Sequence, residues 1–89
     1  MIKIVLYPPL AKGRQTVERA LAEGEEISVR ELISELQSNP LAFPGVAEYT
    51  PTDNPEQQLM ILVNDKTTEG REILQKGDTI KLVSNMSGG

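Results

Sequence analysis

The sequence contains no cysteine and no histidine, and these two absences exclude several classes of chemistry. Without cysteine the chain cannot form a disulfide or supply a thiolate nucleophile. Without histidine it lacks the side chain that most often transfers protons near neutral pH, and with both absent it lacks the ligands of almost all zinc sites. We therefore do not expect a catalytic site of a common type on this chain.

Aromatic residues, basic clusters and long apolar runs are also scarce. The rings are those of Tyr7, Phe43 and Tyr49, and the formal net charge is −4. Nucleic-acid binding depends on a basic surface and is therefore not expected. No apolar run approaches the roughly 20 residues of a membrane span, and the opening MIKIVLY is too short for the apolar region of a signal peptide. These features predict a cytoplasmic protein that binds neither nucleic acid nor membrane.

Acidic residues are frequent, but their spacing does not predict a metal site. Calcium loops alternate carboxylates before a glycine, and no segment of this chain has that pattern. Five glutamates gather around the start of a predicted helix, where negative charge is favourable to the helix dipole. A structural role is the favoured interpretation, and steering toward a basic partner is the alternative. These glutamates are Glu23, Glu25, Glu26, Glu31 and Glu35.

The segment SVRELISEL predicts the main helix. Ser28 and Glu31 have the spacing of a capping box, in which each side chain bonds a backbone amide of the other residue. Ile27 precedes the cap and can pack against Leu32 as a hydrophobic staple. The pattern stops before Asn39-Pro40, because the residue before a proline avoids the helical conformation. The apolar stripe of this helix consists of Val29, Leu32, Ile33 and Leu36.

Apolar and β-branched runs predict strands at residues 2–7, 16–21, 59–63 and 79–83. The first two would form a hairpin, although the composition of TVERALAE also permits a helix in place of the second strand.

The connections between these runs have their own signals. Residues 39–58 carry four of the six prolines and predict a long irregular loop with one short turn at 46–49. Asn64-Asp65 and residues 76–78 predict turns, and residues 69–74 predict a single helical turn.

The order of elements predicts an α+β fold of the β-grasp (ubiquitin-like) type. Two strands, a helix, a long loop and two more strands would give a mixed sheet of about four to five strands packed on one main helix. In this fold the first and last strands lie side by side in the middle of the sheet. We expect a β-grasp domain at residues 1–84 and a flexible C-terminal Gly-Gly tail at residues 85–89.

Five segments, in order, resemble the ubiquitin-like sulfur carriers of the MoaD/ThiS family. They are IKIVLY, EGEEISVRELI, LVND, LQKGDTIKLV and SGG. The sequence is most similar to the small subunit of molybdopterin synthase. Family members often carry Pro-Pro before the final small residues, where this chain has Ser84-Asn85-Met86. The loop at 39–58 is longer than in the thiamine-pathway carriers, which favours the molybdopterin branch.

The resemblance implies a role for the final residues. A partner adenylating enzyme of the ubiquitin-activating type would join AMP from ATP to Gly89, and sulfur would then replace the AMP to give a thiocarboxylate. Gly88, Ser87 and Met86 would thread into the enzyme, because glycine lacks a Cβ and passes narrow walls. The chain itself would bind no cofactor, since the ATP is used by the partner.

A second expectation concerns the sheet face turned away from the helix. Several adjacent apolar side chains there would form a docking surface for partners. The alternative is that Phe43, Val46 and Tyr49 of the long loop cover this face. Met60 and Leu62 point to it unless their alternates in the same apolar strand do. The proposed docking residues are Val5, Tyr7, Met60, Leu62 and Val83.

The resemblance therefore predicts a protein substrate rather than an enzyme. The chain would donate sulfur for molybdopterin (molybdenum or tungsten cofactor) biosynthesis, inserting its tail into the large molybdopterin synthase subunit or another sulfur-accepting enzyme. Catalytic residues would lie on the partners. One alternative is a ubiquitin-like modifier conjugated to lysines. Another is a β-grasp interaction domain with an inert tail, for which deletion of Gly88 and Gly89 would have no effect.

Overall fold

The computed structural model describes residues 1–8, 10–49 and 59–84, with the backbone alone described at residues 48, 49 and 59. Within these ranges the chain forms five strands and two helices. They are β1 (Ile2–Leu6), β2 (Gln15–Arg19), α1 (Val29–Gln37), α2 (Pro44–Tyr49), β3 (Leu59–Val63), β4 (Lys66–Thr67) and β5 (Thr79–Ser84).

The five strands form one mixed sheet in the order β2-β1-β5-β3-β4. β1 and β5 are parallel, with Leu6 opposite Leu82, whereas the other pairs are antiparallel. β5 therefore joins two hairpins, β1–β2 on one side and β3–β4 on the other. The predicted β-grasp fold is confirmed, including the adjacent first and last strands and the hairpin at the start of the chain.

α1 begins where the sequence predicts. Ser28 caps it, with its Oγ accepting from the Glu31 amide at 3.1 Å while Glu31 Oε1 accepts from the Ser28 amide at 3.0 Å. The next two amides of the first turn, those of Val29 and Arg30, donate to carbonyls of a distant segment, Glu72 and Gly70, each at 3.0 Å. All of these first-turn amides thus have partners, which a helix start otherwise lacks.

The predicted helical turn at residues 69–74 is wrong. Gly70 has φ of 91°, outside the helical region, and Ile73 forms an isolated antiparallel bridge with Ser28. The carbonyls of this segment point to the start of α1, and the Leu74 amide donates to the Ile27 carbonyl at 2.8 Å. An extended backbone is needed for this pairing, and tertiary hydrogen bonding therefore overrides the local helical composition.

The core lies between the sheet and α1, and its strand residues occupy one face of the sheet. Ile27 and Leu32, the predicted staple pair, are both buried in it. The remaining apolar stripe of α1, Val29, Ile33 and Leu36, is also buried. The strand residues that face α1 are Ile2, Ile4, Leu6, Ile61, Val63, Ile80 and Leu82.

α2 extends this core beyond the end of the sheet. The short turn predicted at 46–49 is a helix that begins two residues earlier, at Pro44. Val46 is fully buried in the core, and a Cβ placed on Gly45 would lie 2.1 Å from the Leu10 carbonyl oxygen. Only glycine allows this close approach between α2 and the loop after β1.

The sheet end at which β5 begins is closed by two turns, both predicted. Asn64 and Asp65 have φ of 52° and 69°, as a two-residue hairpin turn requires, and this turn creates β4, which was not predicted. Asp78 ties the second turn to the first, because its Oδ1 accepts from Asn64 Nδ2 at 3.0 Å and its Oδ2 accepts from the Gln75 amide at 2.8 Å.

Candidate docking face and carrier tail

The sheet face opposite α1 has an apolar centre beside the end of β5. Met60 pairs with Val83 and Leu62 pairs with Lys81 in the β3–β5 register. Because their neighbours Ile61, Ile80 and Leu82 point to the core, these side chains point away from it. We call this the outer face, and it consists of Val5, Tyr7, Met60, Leu62, Lys81 and Val83. Met60 and Leu62 therefore point to the predicted side.

Four of the five predicted docking residues reach the surface. Met60 is 46% exposed, and Tyr7, Leu62 and Val83 are half-buried. Val5 lies on the outer face as expected but is 2% exposed, and its prediction as an accessible contact is wrong. Its cross-strand neighbours are Thr16 and Lys81, which flank it in the middle of the sheet. Val5 is thus packed between its cross-strand neighbours and is not accessible to a partner.

Two cations beside these apolar residues, Lys81 and Arg14, were not among the predicted docking residues. Lys81 lies between Val5 and Leu62 in register, and its Nζ donates to Asp65 Oδ1 at 2.6 Å, which raises the pKa of Lys81. The Arg14 guanidinium lies 6.0 Å from the centre of the Tyr7 ring, at the limit of a cation–π contact. The strand register was the signal that could have placed Lys81 here, whereas Arg14 lies just before β2 and has no register partner.

In the described part of the long loop, two residues that could cover the outer face pack on the α1 side instead. Val46 is buried in the core on the α1 side, and Phe43 packs against that same core. The alternative in which these two residues cover the outer face is therefore wrong. The third residue of that alternative, Tyr49, has a side chain outside the described residues. The apolar outer face keeps Met60 exposed and Leu62 half-buried, beside the last residues of β5.

The body of the fold leads directly to the predicted carrier tail. β5 ends at Ser84, and Val83 of the outer face is the residue before it. The predicted tail residues Met86, Ser87, Gly88 and Gly89 lie outside the described residues. The proposed docking face and the start of the tail are therefore contiguous at one end of the sheet.

The acidic residues near α1 have structural partners. Arg19 donates to both carboxylate oxygens of Glu25, at 2.9 and 2.8 Å, and to Glu35 at 2.7 Å. These bonds raise the pKa of Arg19, and the bond from Arg19, followed by the Ala22 amide, lowers the pKa of Glu25. With Glu31 in the capping box, three of the five glutamates hold β2, the following loop and α1 together.

Within residues 1–8, 10–49 and 59–84, no three acidic side chains converge as metal ligands would. In the same residues, neither helix is long and apolar enough to cross a membrane.

Comparison with known proteins identifies the family. The model of the ThiS family matches residues 9–89, which is nearly the whole chain. The protein therefore belongs to the ThiS family, and it is a sulfur carrier of the ubiquitin-like MoaD/ThiS type. The family comprises small, non-catalytic carrier proteins. No curated protein sequence matched the chain.

A solved structure shares the fold. It is a chain in the protein–protein complex of subunits 1 and 2 of molybdopterin-converting factor from Helicobacter pylori 26695. The two chains are 19% identical, the match covers 99% of this chain and 97% of that one, and the TM-score is 0.60. At this identity the similarity establishes the β-grasp fold. The expected resemblance to the ubiquitin-like sulfur carriers is thus confirmed from both sequence and fold.

Proposed function

We propose that this protein carries sulfur for molybdopterin biosynthesis as a thiocarboxylate on Gly89. The observation that carries the proposal is the family match, which runs through Gly88 and Gly89 although β5 already ends at Ser84. The five residues beyond β5 can span about 17 Å, enough to enter a partner's active site. The β-grasp body at residues 1–84 would be the docking module, and residues 85–89 the flexible arm that it presents.

The chemistry requires activation by a second protein. An oxygen of the Gly89 carboxylate would attack the α-phosphorus of ATP on an adenylating enzyme of the ubiquitin-activating type, and pyrophosphate would leave. Sulfide from a sulfur-donating enzyme would then attack the acyl carbon, AMP would leave, and Gly89 would carry a thiocarboxylate. Gly88, Ser87 and Met86 are small or unbranched, which suits a narrow channel. The ATP and the catalytic side chains belong to the partner, and this chain needs no cofactor.

The same outer face would serve both partners in turn. Tyr7, Met60, Leu62 and Val83 offer an apolar surface next to the arm, and apolar and aromatic contacts dominate the centre of such interfaces. The second partner would be the large subunit of molybdopterin synthase, acting in the cytoplasm. The fold match to a chain of molybdopterin-converting factor, itself in a two-subunit complex, supports this pathway over the thiamine branch.

Intact-mass measurement tests the carrier role. The chain is co-expressed with candidate adenylating and sulfur-donating enzymes, purified and treated with an alkylating reagent. Because the sequence has no cysteine, a thiocarboxylate would be its dominant alkylation site. We expect one added alkyl group, mapped to Gly89, in the intact chain and none after deletion of Gly88 and Gly89. An unmodified mass with every enzyme pair that charges other carriers would overturn the proposal.

The pathway is tested with the charged protein. Thiocarboxylated chain is mixed with a large molybdopterin synthase subunit and its pterin precursor, and in parallel with a thiazole-forming enzyme of the thiamine pathway. We expect sulfur transfer to the pterin and regeneration of the free carboxylate. Transfer in the thiazole reaction alone would leave the carrier role intact and assign the chain to the other pathway.

A further inference from the structure

A recess lies on the α1 side of the sheet, and Arg14 at its edge also reaches the Tyr7 ring of the outer face. It has a volume of about 410 Å³ and is formed where the loop after β1 meets the start of α2. Its walls are mostly apolar, and Lys12 and Arg14 stand at its edge. We call it the hairpin groove. Its apolar lining consists of Leu6, Leu10, Ala11, Ala42, Phe43 and Pro44.

The hairpin groove lies at the same end of the sheet as the start of the arm. Leu6 lines the groove and is paired with Leu82 across the parallel β1–β5 ladder, and the Tyr7 amide donates to the Leu82 carbonyl at 3.2 Å. Adjacent strands are about 4.8 Å apart, and Ser84 lies two residues beyond Leu82. A protein that receives the arm therefore comes within contact distance of this groove.

The walls of the groove are held in place before any partner binds. The Leu10 amide donates to the Tyr7 carbonyl at 2.9 Å, which fixes the turn after β1. On the other side, the backbone of Gly45 rests directly on the Leu10 carbonyl. Leu10, which lines the recess, and Val46 of α2 are both buried. A preformed recess costs little ordering on binding, which favours its use as a contact site.

Charge at the groove differs from charge over the rest of the chain. The protein carries a net charge of −4, yet both ionisable groups at this recess are cations. Both are exposed, and neither makes an ion pair with any residue in the described ranges. The glutamates near α1, by contrast, are largely paired with Arg19 or used as a cap. These two cations have no ion-pair partner within those ranges, although Arg14 lies beside the Tyr7 ring, and they are therefore complementary to carboxylates on a partner.

We propose that the hairpin groove is a second anchor point for the adenylating enzyme, which inserts an apolar side chain flanked by carboxylates. This inference rests on the proposed function, because it assigns a surface to that same partner. The enzyme would grip the carrier on both sides of the sheet end, with the outer face on one side and the groove on the other. The arm between them would then enter the active site in one orientation.

Filling the groove tests this proposal. Ala42 is exposed and lines the recess, whereas its neighbour Leu41 is 97% exposed and does not. Ala42→Tyr and Leu41→Tyr therefore place the same ring inside and outside the groove. Pyrophosphate release is measured with an adenylating enzyme that charges the wild-type chain. We expect Ala42→Tyr to raise KM about tenfold with kcat unchanged, since only binding is lost, and Leu41→Tyr to match wild type.

Charge reversal gives an independent measurement. Lys12→Glu alters the edge of the groove, and Lys76→Glu makes the same charge change at the opposite end of the sheet. We expect Lys12→Glu alone to raise KM, by about fivefold at low salt, and the difference to shrink at about 0.5 M salt. Both variants lie in exposed positions and should melt with the wild-type Tm.

The outcomes separate the groove from the carrier role. If the wild-type chain is charged but Ala42→Tyr and Lys12→Glu behave like their controls, the groove proposal is overturned and the carrier role stands. A lowered Tm of Ala42→Tyr with unchanged KM would show that the chain itself fills the recess, and would also overturn it. If no adenylating enzyme charges the wild-type chain, the proposed function fails and this inference fails with it.

Discussion

The two faces of the sheet are built from the same strands and differ in how completely the chain covers them. On the α1 face Ile80 and Leu82 are fully buried, and Ile61 is 3% exposed. On the outer face their sequence neighbours Leu62 and Val83 are half-buried, and Met60 is 46% exposed. β3 and β5 are thus apolar on both sides, although one helix covers only one of them.

This difference separates folding from partner binding. Residues on the α1 face determine whether the domain is stable, because their burial supplies most of the hydrophobic free energy. Residues on the outer face contribute less to stability and leave apolar surface available to another protein. Substitution of a residue on the α1 face should therefore lower the free energy of unfolding. Substitution of its neighbour on the outer face should mainly lower the affinity for a partner.

The largest effect is expected on the α1 face. Leu82→Ala removes a fully buried side chain and should lower the free energy of unfolding by about 2–5 kcal/mol. A domain of 89 residues has about 4–13 kcal/mol in total, and the variant should be substantially destabilised. Urea denaturation measures this. Val83→Ala, one residue further on the other face, serves as control, and an equal loss in both variants would contradict the comparison.

A charge on the outer face should act on docking instead. Under the proposed function, Met60→Asp is expected to weaken binding to the proposed adenylating partner by about 10–100-fold, because a carboxylate would be desolvated in the apolar contact. Ile73→Asp is the matched control, since Ile73 is 51% exposed and lies in the segment beside α1. Calorimetric titration gives both affinities, and thermal melting should show little change in either variant. Equal weakening by Ile73→Asp would remove the special role of the outer face.

Displacing α2 tests whether the close packing of this helix on Leu10 keeps its part of the core buried. Gly45→Ala places a Cβ 2.1 Å from the Leu10 carbonyl oxygen, which is backbone and cannot rotate away. We expect α2 to shift and expose Val46, lowering the free energy of unfolding by about 1–3 kcal/mol. Gly77→Ala is the control. Gly77 has φ of 90° and no atom within 4 Å of its Cβ position, so this variant introduces backbone strain without a clash. Hydrogen exchange should increase in α2 only for Gly45→Ala.

The smallest effect concerns the ion pairs beside α1. The pKa of Glu25 is lowered by its hydrogen bonds from Arg19 and the Ala22 amide, and its charge therefore stabilises the fold above the ordinary glutamate pKa of 4.5. That contribution is lost as the pH falls through the lowered pKa. Glu25→Gln should show a shallower decrease of Tm on acidification than wild type. Glu26→Gln is the control, and an equally shallow profile there would contradict the assignment.

The sequence predicted the elements whose signals are local. The capping box at Ser28 and Glu31 located α1 to the residue, and the β-branched runs located β1 and β5. The segment at 69–74 was misassigned because its conformation is imposed by bonds to Val29 and Arg30, at least 40 positions away in the chain. β4 was missed because two residues carry no periodicity.

The membership of the outer face depends on the register of the strands, and the sequence alone did not determine that register. The run LMILV is apolar at every position, and only the pairing of Met60 with Val83 determines which side chains face outward. The burial of Val5 likewise follows from its central position between Thr16 and Lys81.

The central position of β5 has a consequence for how the protein is made. The β1–β2 and β3–β4 hairpins have no pairing with each other, and β5 joins them. A ribosome that has released residues 1–78 has therefore produced two unconnected halves of a sheet, which long-range pairing can complete only afterwards. Residues 79–84 emerge last before the arm. A chain that lacks residues 79–84 has no complete outer face, because Lys81 and Val83 belong to β5, and under the proposed function such a chain could not dock on a partner.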